Sequence, residues 1–300
     1  MKGAPNWPNL FIVGAAKAGT TSLSRYLDEH PDVYMSPMKE PHFFSHIEPD
    51  PKLAGFFPHV KDSTAYLALF SNSGDARVRG EASTSYLTHE GVATSIKEIS
   101  PEAKIVIMLR NPISRAFSHY WNDVREGIES RSFAQAVEEE LSGPPGGWGV
   151  SSLYVDCGFY AERVKRYLDT FGNSVLVLIF EEFVAEPAAH LERTLRFLDL
   201  DPLLRGVRDF QPQNVFALPR NALSRKILGS GTTRNVARRL LPRRARAYGR
   251  QLLVAPSAKP ELEPQVRRRL GAVYRGDVER VAGLLGRRPP WADFSGERDA

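Results

Sequence analysis

The feature that most constrains the fold is a short apolar run that leads into a glycine-containing loop, "NLFIVGAAKAGTTSL" at residues 9–23. An apolar run followed by glycine and small residues is typical of a buried parallel strand that enters a turn. The next ten residues have helical spacing, because Leu23, Tyr26 and Leu27 fall on one face. The sequence therefore predicts a strand, a tight loop and a helix N-terminus, an arrangement that binds anions.

This loop differs from the one that binds nucleoside triphosphates. In the Walker A pattern, G-x-x-x-x-G-K-S/T, the lysine follows the second glycine directly. Here Gly14 and Gly19 have that spacing, but Thr20 follows Gly19 and Lys17 lies inside the loop. We expect Lys17 to lie beside the atom that joins a bound phosphate to its departing group, where a cation stabilises developing charge. Backbone N–H groups and three hydroxyls would bind the phosphate, so the predicted binding residues are Ala16, Lys17, Ala18, Gly19, Thr20, Thr21 and Ser22.

A second strand carries another phosphate-binding pattern, "KIVIMLRNPISRAFSHYW" at residues 104–121. Residues 105–109 are consecutive and apolar, and Pro112 suits the first turn of a helix. Arg110 follows the predicted strand, and Ser118 comes eight residues later. Arginine offers forked donors to phosphate, and ligands of open α/β sheets bind at the carboxyl ends of the strands.

Strand and helix patterns alternate along most of the chain, which predicts the α/β class. We expect a P-loop-like three-layer α/β/α domain with a mainly parallel central sheet. Further strands are predicted within residues 32–36, 76–83 and 173–183, and helices within 160–171 and 187–200. After about residue 205 the strand pattern fades. We predict one domain over residues 1–300, with a core at about 9–205 and a helical, basic C-terminal extension at about 206–300.

Charge is concentrated in that extension. Residues 220–250 contain ten Lys or Arg and no Asp or Glu, so the rest of this +5 chain carries about −5. The segment predicts an anionic partner, which could be a charged cofactor, an acidic acceptor, a membrane surface or nucleic acid, although a solvated arginine-rich surface fits equally well. Its partly amphipathic part, "RNVARRLLPRRAR", also suits peripheral contact with a membrane.

Composition points to a reducing compartment. The single cysteine, Cys157, cannot form an internal disulfide. No apolar run approaches the length of a membrane span, and no apolar signal core precedes the first predicted strand. We therefore expect a cytoplasmic protein.

Both phosphate patterns resemble those of the PAPS-dependent sulfotransferases, where PAPS is 3′-phosphoadenosine 5′-phosphosulfate. "GAAKAGTTSL" is similar to the 5′-phosphosulfate loop of that family. Arg110 and Ser118 match the strand-end arginine and the serine that hold the 3′-phosphate. The resemblance implies PAPS as co-substrate, PAP as product and no metal, and nucleic acid is not an expected partner.

A third segment, "MKEPHFFS", resembles the heparan-sulfate glucosaminyl sulfotransferases and their bacterial relatives. In those enzymes a glutamate two residues before His-Phe-Phe is the proposed base, which implies Glu40 as the base here. A carboxylate suits this role, because a hydroxyl must lose its proton as it attacks sulfur. His42 is the rival base, since cytosolic aryl and steroid sulfotransferases use histidine, or it orients Glu40 or the acceptor. We expect Phe43 and Phe44 to provide a dry wall that raises the pKa of Glu40.

A fourth segment, "GEASTSYL", also resembles this family, with one departure. Ala82 stands where the heparan-sulfate enzymes tend to have lysine, so their acceptor is not carried over to this chain. Glu81 is either structural or orients Lys17. Farther along, "QNVFALPRNALSRKIL" resembles the cofactor-closing region of bacterial members, which makes Arg220 and Arg225 candidates for binding the 3′-phosphate or an acidic acceptor.

The predicted function is transfer of a sulfuryl group from PAPS to a hydroxyl of a carbohydrate, natural-product or lipid acceptor. One alternative is an ATP-dependent P-loop kinase, which would need lysine after Gly19 and a strand-end aspartate for Mg²⁺. Another is a non-catalytic protein that binds anionic ligands through residues 220–250.

Overall fold

A five-stranded sheet forms the central layer of the molecule. The computed structural model describes residues 7–45, 59–143, 152–202, 217–230, 242–257 and 260–295, together with 233, 236, 237 and 240. The strand order is β2-β3-β1-β4-β5, and every neighbouring pair is parallel. The strands are β1 (Leu10–Gly14), β2 (Val33–Met35), β3 (Val78–Ala82), β4 (Lys104–Leu109) and β5 (Val175–Ile179). The apolar runs of β1 and β4 are buried, as strands covered on both faces require.

Helices form the outer layers. Helix α1 packs against α9, and α3, α4 and α7 pack against one another. These contacts confirm the predicted three-layer α/β/α class with a parallel sheet. The helices of this part of the chain are α1 (Thr20–Asp28), α2 (Ser63–Ala68), α3 (Ser85–Thr88), α4 (Val92–Ile99), α5 (Pro112–Glu126), α6 (Phe133–Ser142), α7 (Ala161–Phe171), α8 (Phe180–Ala185) and α9 (Pro187–Phe197).

The last long helix, α12 (Pro264–Leu285), packs on α7 and α5, and its buried side chains join the main hydrophobic core. The buried carboxylate of Asp277 accepts hydrogen bonds from the backbone N–H groups of Tyr160 (2.7 Å) and Ala161 (3.2 Å), where α7 begins. Near the C-terminus, buried Trp291 donates through Nε1 to Glu181 Oε2 at 3.0 Å. The core therefore continues beyond residue 205, and the single-domain organisation stays a prediction.

Residues 217–256, which we call the basic unit, are tied together at both ends. Strand β6 (Ala217–Pro219) pairs antiparallel with β7 (Val254–Pro256). Helices α10 (Ala222–Leu228) and α11 (Arg243–Leu253) lie between the two strands. Helix α10 ends against the C-terminus of α5, where a side chain on Gly127 would meet backbone atoms of Arg225 and Gly229 at 2.6–2.7 Å. The helical character predicted for the extension is confirmed, and the basic unit is docked on α5.

Within the described residues, no helix is long and apolar enough to span a bilayer.

Candidate active site

The loop between β1 and α1 depends on two glycines. Gly14 (φ 154°) and Gly19 (φ 90°) occupy backbone regions that side chains disfavour. A Cβ at Gly14 would lie 2.7 Å from Leu87, and one at Gly19 would lie 2.8 Å from Phe180. No described residue accepts a hydrogen bond from the N–H groups of Gly19, Thr20 and Thr21, and no side chain caps α1. These free donors at a helix N-terminus fit a bound phosphate.

Lys17 lies in the loop in a left-handed backbone conformation, with φ 66°. Its Nζ donates a hydrogen bond to Asn122 Oδ1 at 3.0 Å, across to α5. The pKa of Lys17 is lowered to about 8: burial is the largest cause, repulsion from Arg125 and Lys39 adds to it, and attraction from Glu40 and Asp123 opposes it. The side chain is therefore mainly an ammonium at neutral pH and loses its proton in mildly alkaline solution.

Arg110 follows β4 and meets the loop. Its Nη1 donates to the carbonyl of Lys17 at 3.0 Å, and the guanidinium lies over the ring of Phe180, 4.4 Å from the centroid. The hydroxyl of buried Tyr160 donates to the Arg110 carbonyl at 2.9 Å and so fixes the backbone. Nε of Arg110 is buried without a hydrogen-bond partner among the described residues. A half-buried guanidinium whose buried Nε has no partner among the described residues fits an anionic ligand.

Ser118 lies in the second turn of α5, later than the helix start that its motif suggested, because the helix begins at Pro112. Ser118 and Asn122 are four residues apart and therefore share a face of α5. Since Asn122 accepts from Lys17, this face is turned towards the loop. Ser118 is half-buried there, which is compatible with its predicted phosphate contact.

Glu40 is held at the end of β3, where its N–H donates to the Ala82 carbonyl at 3.0 Å. Its Oε1 accepts from Lys39 Nζ at 2.7 Å, and its Oε2 lies 3.6 Å from His42 Nε2. Burial raises the pKa of Glu40, but Lys39, His42 and Lys17 outweigh it and leave the pKa below its usual value. The expected rise in the pKa of Glu40 is therefore wrong, because neighbouring cations dominate over the dry aromatic wall. The carboxylate is ionised at neutral pH and able to accept a proton.

His42 is buried and turned into the protein. Its Nδ1 lies 2.7 Å from Ser85 Oγ, and its backbone N–H donates to Ser83 Oγ at 3.1 Å. Burial lowers the pKa of His42 to about 4, although Glu40 opposes the shift. The imidazole is therefore neutral near pH 7. With 2% of its surface exposed, it is placed to orient Glu40 rather than to meet an acceptor.

Glu81 supports the segment that carries Glu40 and His42. It is buried and accepts hydrogen bonds from the hydroxyls of Tyr66 (2.8 Å), Tyr86 (2.6 Å) and Ser83 (2.7 Å). Burial raises the pKa of Glu81 to about 7, and the three hydroxyl donors partly oppose this. Because Ser83 also accepts from the N–H of His42, Glu81 acts on the loop that carries Glu40. The contacts favour the structural role predicted for Glu81 over a role in orienting Lys17.

The backbone singles out the same three residues that the motifs predict as catalytic. Among the described residues, five non-glycine positions have positive φ, and three of them are Lys17, Glu40 and His42. Each such position costs roughly 1–3 kcal/mol and persists only where the surroundings impose it. The hydrogen bonds of Glu40 to Ala82 and of His42 to Ser83 are constraints of this kind. Strain of this sort concentrates at functional sites, which supports the assignment independently of the motifs.

Sequence reasoning missed three residues that organise the site. Asn122 accepts from Lys17 and from Arg125 Nη2 (2.8 Å), Phe180 stacks on Arg110, and Ser85 contacts His42. The one signal available for Asn122 was its spacing of four residues from Ser118. Ser85 lies in the quoted segment "GEASTSYL", but nothing there indicated its contact with His42, and nothing in the local sequence indicated Phe180.

The predicted ligands from the basic unit lie apart from these contacts. Arg220 is exposed and donates through Nε to the Val254 carbonyl at 3.1 Å. Arg225 is exposed on α10, which packs on α5. No contact between described residues joins either arginine to Arg110 or to the loop, so their phosphate-binding roles stay predictions. Across the described ranges, no group of three or more His, Cys, Asp or Glu side chains could hold a metal ion.

The fold and the site define an α/β protein whose strand–loop–helix junction leaves backbone N–H donors unpaired, with a carboxylate within electrostatic range of the loop lysine. A protein-family model described as "Sulfotransferase family" matches residues 8–203 of the chain. The chain belongs to the sulfotransferase family.

Individual relatives agree with this assignment. The chain is 30% identical over 200 residues to heparan sulfate glucosamine 3-O-sulfotransferase 6 of Mus musculus, a match that covers 66% of this chain and 54% of the relative. The human protein of the same name is 28% identical over the same shares of the two chains. The chain thus spans about half the length of these curated relatives. Among solved structures, a sulfotransferase from Alicyclobacillus acidocaldarius is 33% identical with a TM-score of 0.70, over 94% of this chain and 97% of that one.

Proposed function

We propose that this protein transfers a sulfuryl group from PAPS to a hydroxyl of a carbohydrate, natural-product or lipid acceptor and releases PAP. The observation that carries the proposal is an anion-binding loop geometry with its lysine, Lys17, and the carboxylate of Glu40 within electrostatic range, where each charge shifts the pKa of the other. An ammonium and an ionised carboxylate at one anion-binding loop are the two groups that sulfuryl transfer needs.

Each residue then has a distinct task. Glu40 takes the proton of the acceptor hydroxyl as its oxygen bonds to sulfur. Lys17 and the free N–H groups of the loop neutralise the charge left on the 5′-phosphate when its bond to sulfur breaks. Arg110 and Ser118 hold the 3′-phosphate, and His42 orients Glu40. The catalytic contributions are positioning and electrostatics.

The acceptor is proposed as a hydroxyl compound rather than as heparan sulfate itself. The relatives named for heparan sulfate glucosamine support a glycan. Their substrate is not assigned to this chain, because Ala82 stands where such enzymes tend to have a lysine. A panel of hydroxylated glycans, lipids and small natural products, incubated with PAPS, would show one added sulfuryl group by mass spectrometry on the true acceptor.

The two alternative functions have less support. A kinase of the P-loop type would need lysine at position 20 and an acidic strand end, whereas Thr20 and Arg110 stand there. A purely binding protein does not need an ionised carboxylate beside the loop lysine. For location, the single buried thiol of Cys157 supports the reducing cytoplasm.

Replacement of Arg110 tests donor binding directly. We expect Arg110→Ala to weaken PAP binding by roughly 10- to 100-fold in titration calorimetry, since a charge-assisted hydrogen bond contributes about 1.5–3 kcal/mol. Arg196→Ala is the matched control, because Arg196 is an exposed arginine of α9 whose ion pair is with Glu192. Unchanged PAP affinity in Arg110→Ala would remove Arg110 from the donor site, and absence of PAP binding by the wild type would refute the proposed function.

The pair formed by Lys39 and Glu40 should set the acid limb of the pH–rate profile. Lys39 is the strongest of the cations that lower the pKa of Glu40. Removing it in Lys39→Ala raises that pKa, so the acid midpoint of kcat should move to higher pH. Lys165→Ala is the control, because its pair with Asp169 lies on the exposed surface of α7. An acid limb that stays in place would show that it does not report Glu40.

A further inference from the structure

Exposed apolar side chains of the described residues are concentrated in the basic unit. Seven large apolar residues are exposed, and five of them lie within residues 223–252. These five are Leu223 (66%), Val236 (50%), Leu240 (75%), Tyr248 (65%) and Leu252 (57%). The other two, Ile99 and Val184, lie on separate helices of the α/β part of the chain, α4 and α8. Single exposed apolar residues are ordinary, but a concentration of five in one segment indicates an interaction surface.

Four of them are spaced in two pairs. Tyr248 and Leu252 are four apart within α11, and Val236 and Leu240 are four apart in the sequence. Residues four apart share a helix face. Tyr248 and Leu252 therefore form an exposed apolar stripe on α11, and the exposed side chains of Val236 and Leu240 add to the apolar surface of the basic unit.

The same segment is uniformly cationic. Residues 217–256 contain ten Lys or Arg and no Asp or Glu, while the rest of the chain carries about −5. Arg220, Arg225 and Lys226 have exposed side chains. This separation of charge creates a field that would turn the basic unit towards an anionic surface.

We propose that the basic unit is a peripheral docking surface for an anionic phospholipid bilayer. A bilayer interface offers both components that the surface needs, anionic headgroups for the cations and an acyl boundary for the apolar pairs. Nucleic acid or an acidic glycan would pair with the cations but would leave Val236, Leu240, Tyr248 and Leu252 exposed to water.

The anchoring of the basic unit allows it to act as a fixed docking surface. Strands β6 and β7 tie its two ends, and the backbone of Gly229 lies against Gly127 at the end of α5. The same helix carries Asn122, which contacts Lys17. Docking would therefore hold the active site beside the membrane.

Vesicle flotation of the full-length protein tests the proposal without any need for turnover. We expect the wild type to float with vesicles of phosphatidylcholine and phosphatidylglycerol in equal parts, and not with phosphatidylcholine alone. Two double variants, V236S/L240S and Y248S/L252S, should each lower the partition coefficient by at least about tenfold, because each loses two apolar side chains that would enter the acyl boundary. The matched control is I99S/V184S, which removes the other two exposed apolar residues and should bind as the wild type does.

Fold integrity is checked by the thermal unfolding midpoint, which should stay unchanged because all the replaced side chains are exposed. Leu223→Ser provides a third, independent variant that should also reduce flotation. The proposal is overturned if the wild type does not float, or if I99S/V184S loses as much binding as the two test variants. Equal flotation of the wild type and all apolar variants, together with salt-sensitive binding to heparin or transfer RNA, would identify a polyanion site instead and would also overturn it.

Discussion

Glu40→Gln should lower kcat by about 10³-fold, the middle of the range for removal of a general base. Glutamine keeps the size of the side chain and its ability to accept a hydrogen bond from Lys39, but it cannot take a proton. Affinity for PAP should stay within about twofold, because the predicted donor ligands are the loop, Arg110 and Ser118. Initial rates at saturating PAPS, paired with calorimetry of PAP, separate the two effects.

A control variant on α9 tests whether the loss of kcat is specific to Glu40. Glu192→Gln is the control, because it removes the charge of a half-exposed glutamate on α9 and should leave kcat unchanged. If kcat of Glu40→Gln stays within about tenfold of the wild type, another group is the base. His42 is the rival, but it is buried, and its Nδ1 is already engaged with Ser85.

Lys39 affects how strong a base Glu40 is. A carboxylate that is already ionised at neutral pH needs no activation, but it is a weaker base than one with a raised pKa. Lys39 lowers that pKa, and the burial of Glu40 opposes the effect. An acceptor that displaced the ammonium of Lys39 would leave the burial effect in place and so raise the basicity of Glu40.

The sheet could be predicted because its signal is local. In β1 and β4 every inward residue is apolar, and each strand is followed by glycine or proline within a few positions. Buried parallel strands require such runs, so the residues alone indicate the class of fold. The importance of the loop glycines could also be predicted, from the spacing of Gly14 and Gly19 in the sequence. The structure gives both a positive φ, which excludes most side chains.

The support around the site could not be predicted, because it joins residues that are distant in sequence. Lys17 and Asn122 are 105 positions apart, and His42 and Ser85 are 43 apart. Periodicity shows which face of a helix is buried, but it does not show which loop that face meets. The prediction for the pKa of Glu40 was wrong for a different reason: the cation that lowers it most, Lys39, is adjacent in sequence, but the sequence did not show that its ammonium contacts this carboxylate.

The C-terminal part illustrates the same limit on a larger scale. The helical pattern of α12 was readable, but the capping of α7 by Asp277 was not. In the sequence alone, an aspartate that a helix buries cannot be told from one that it exposes to solvent. Its two backbone partners, 117 and 116 residues earlier, show that α12 is part of the core.

Lys17→Ala should reduce kcat by about 10²- to 10³-fold, as removal of a cation from a developing negative charge does in other enzymes. Because Lys17 acts on charge that develops at the leaving phosphate, kcat should fall by more than KM for PAPS rises. The structural alternative, a lysine that only holds the loop to Asn122, predicts the reverse, a loss of PAP affinity with kcat preserved. Rates measured over a range of PAPS concentrations distinguish the two.

The pH dependence gives Lys17 a second signature. With a pKa of about 8, Lys17 loses its proton above that pH, so kcat/KM for PAPS should fall on the alkaline side. The alkaline limb of kcat should lie at higher pH, because a bound phosphate favours the ammonium form and raises the pKa of Lys17. Lys17→Arg keeps a charge that does not titrate, so this variant should lose the alkaline limb of kcat/KM even where its rate is reduced by the planar guanidinium. If the limb persists unchanged in Lys17→Arg, the titrating group is not Lys17, and the ammonium does not carry the role that the loop geometry assigns to it.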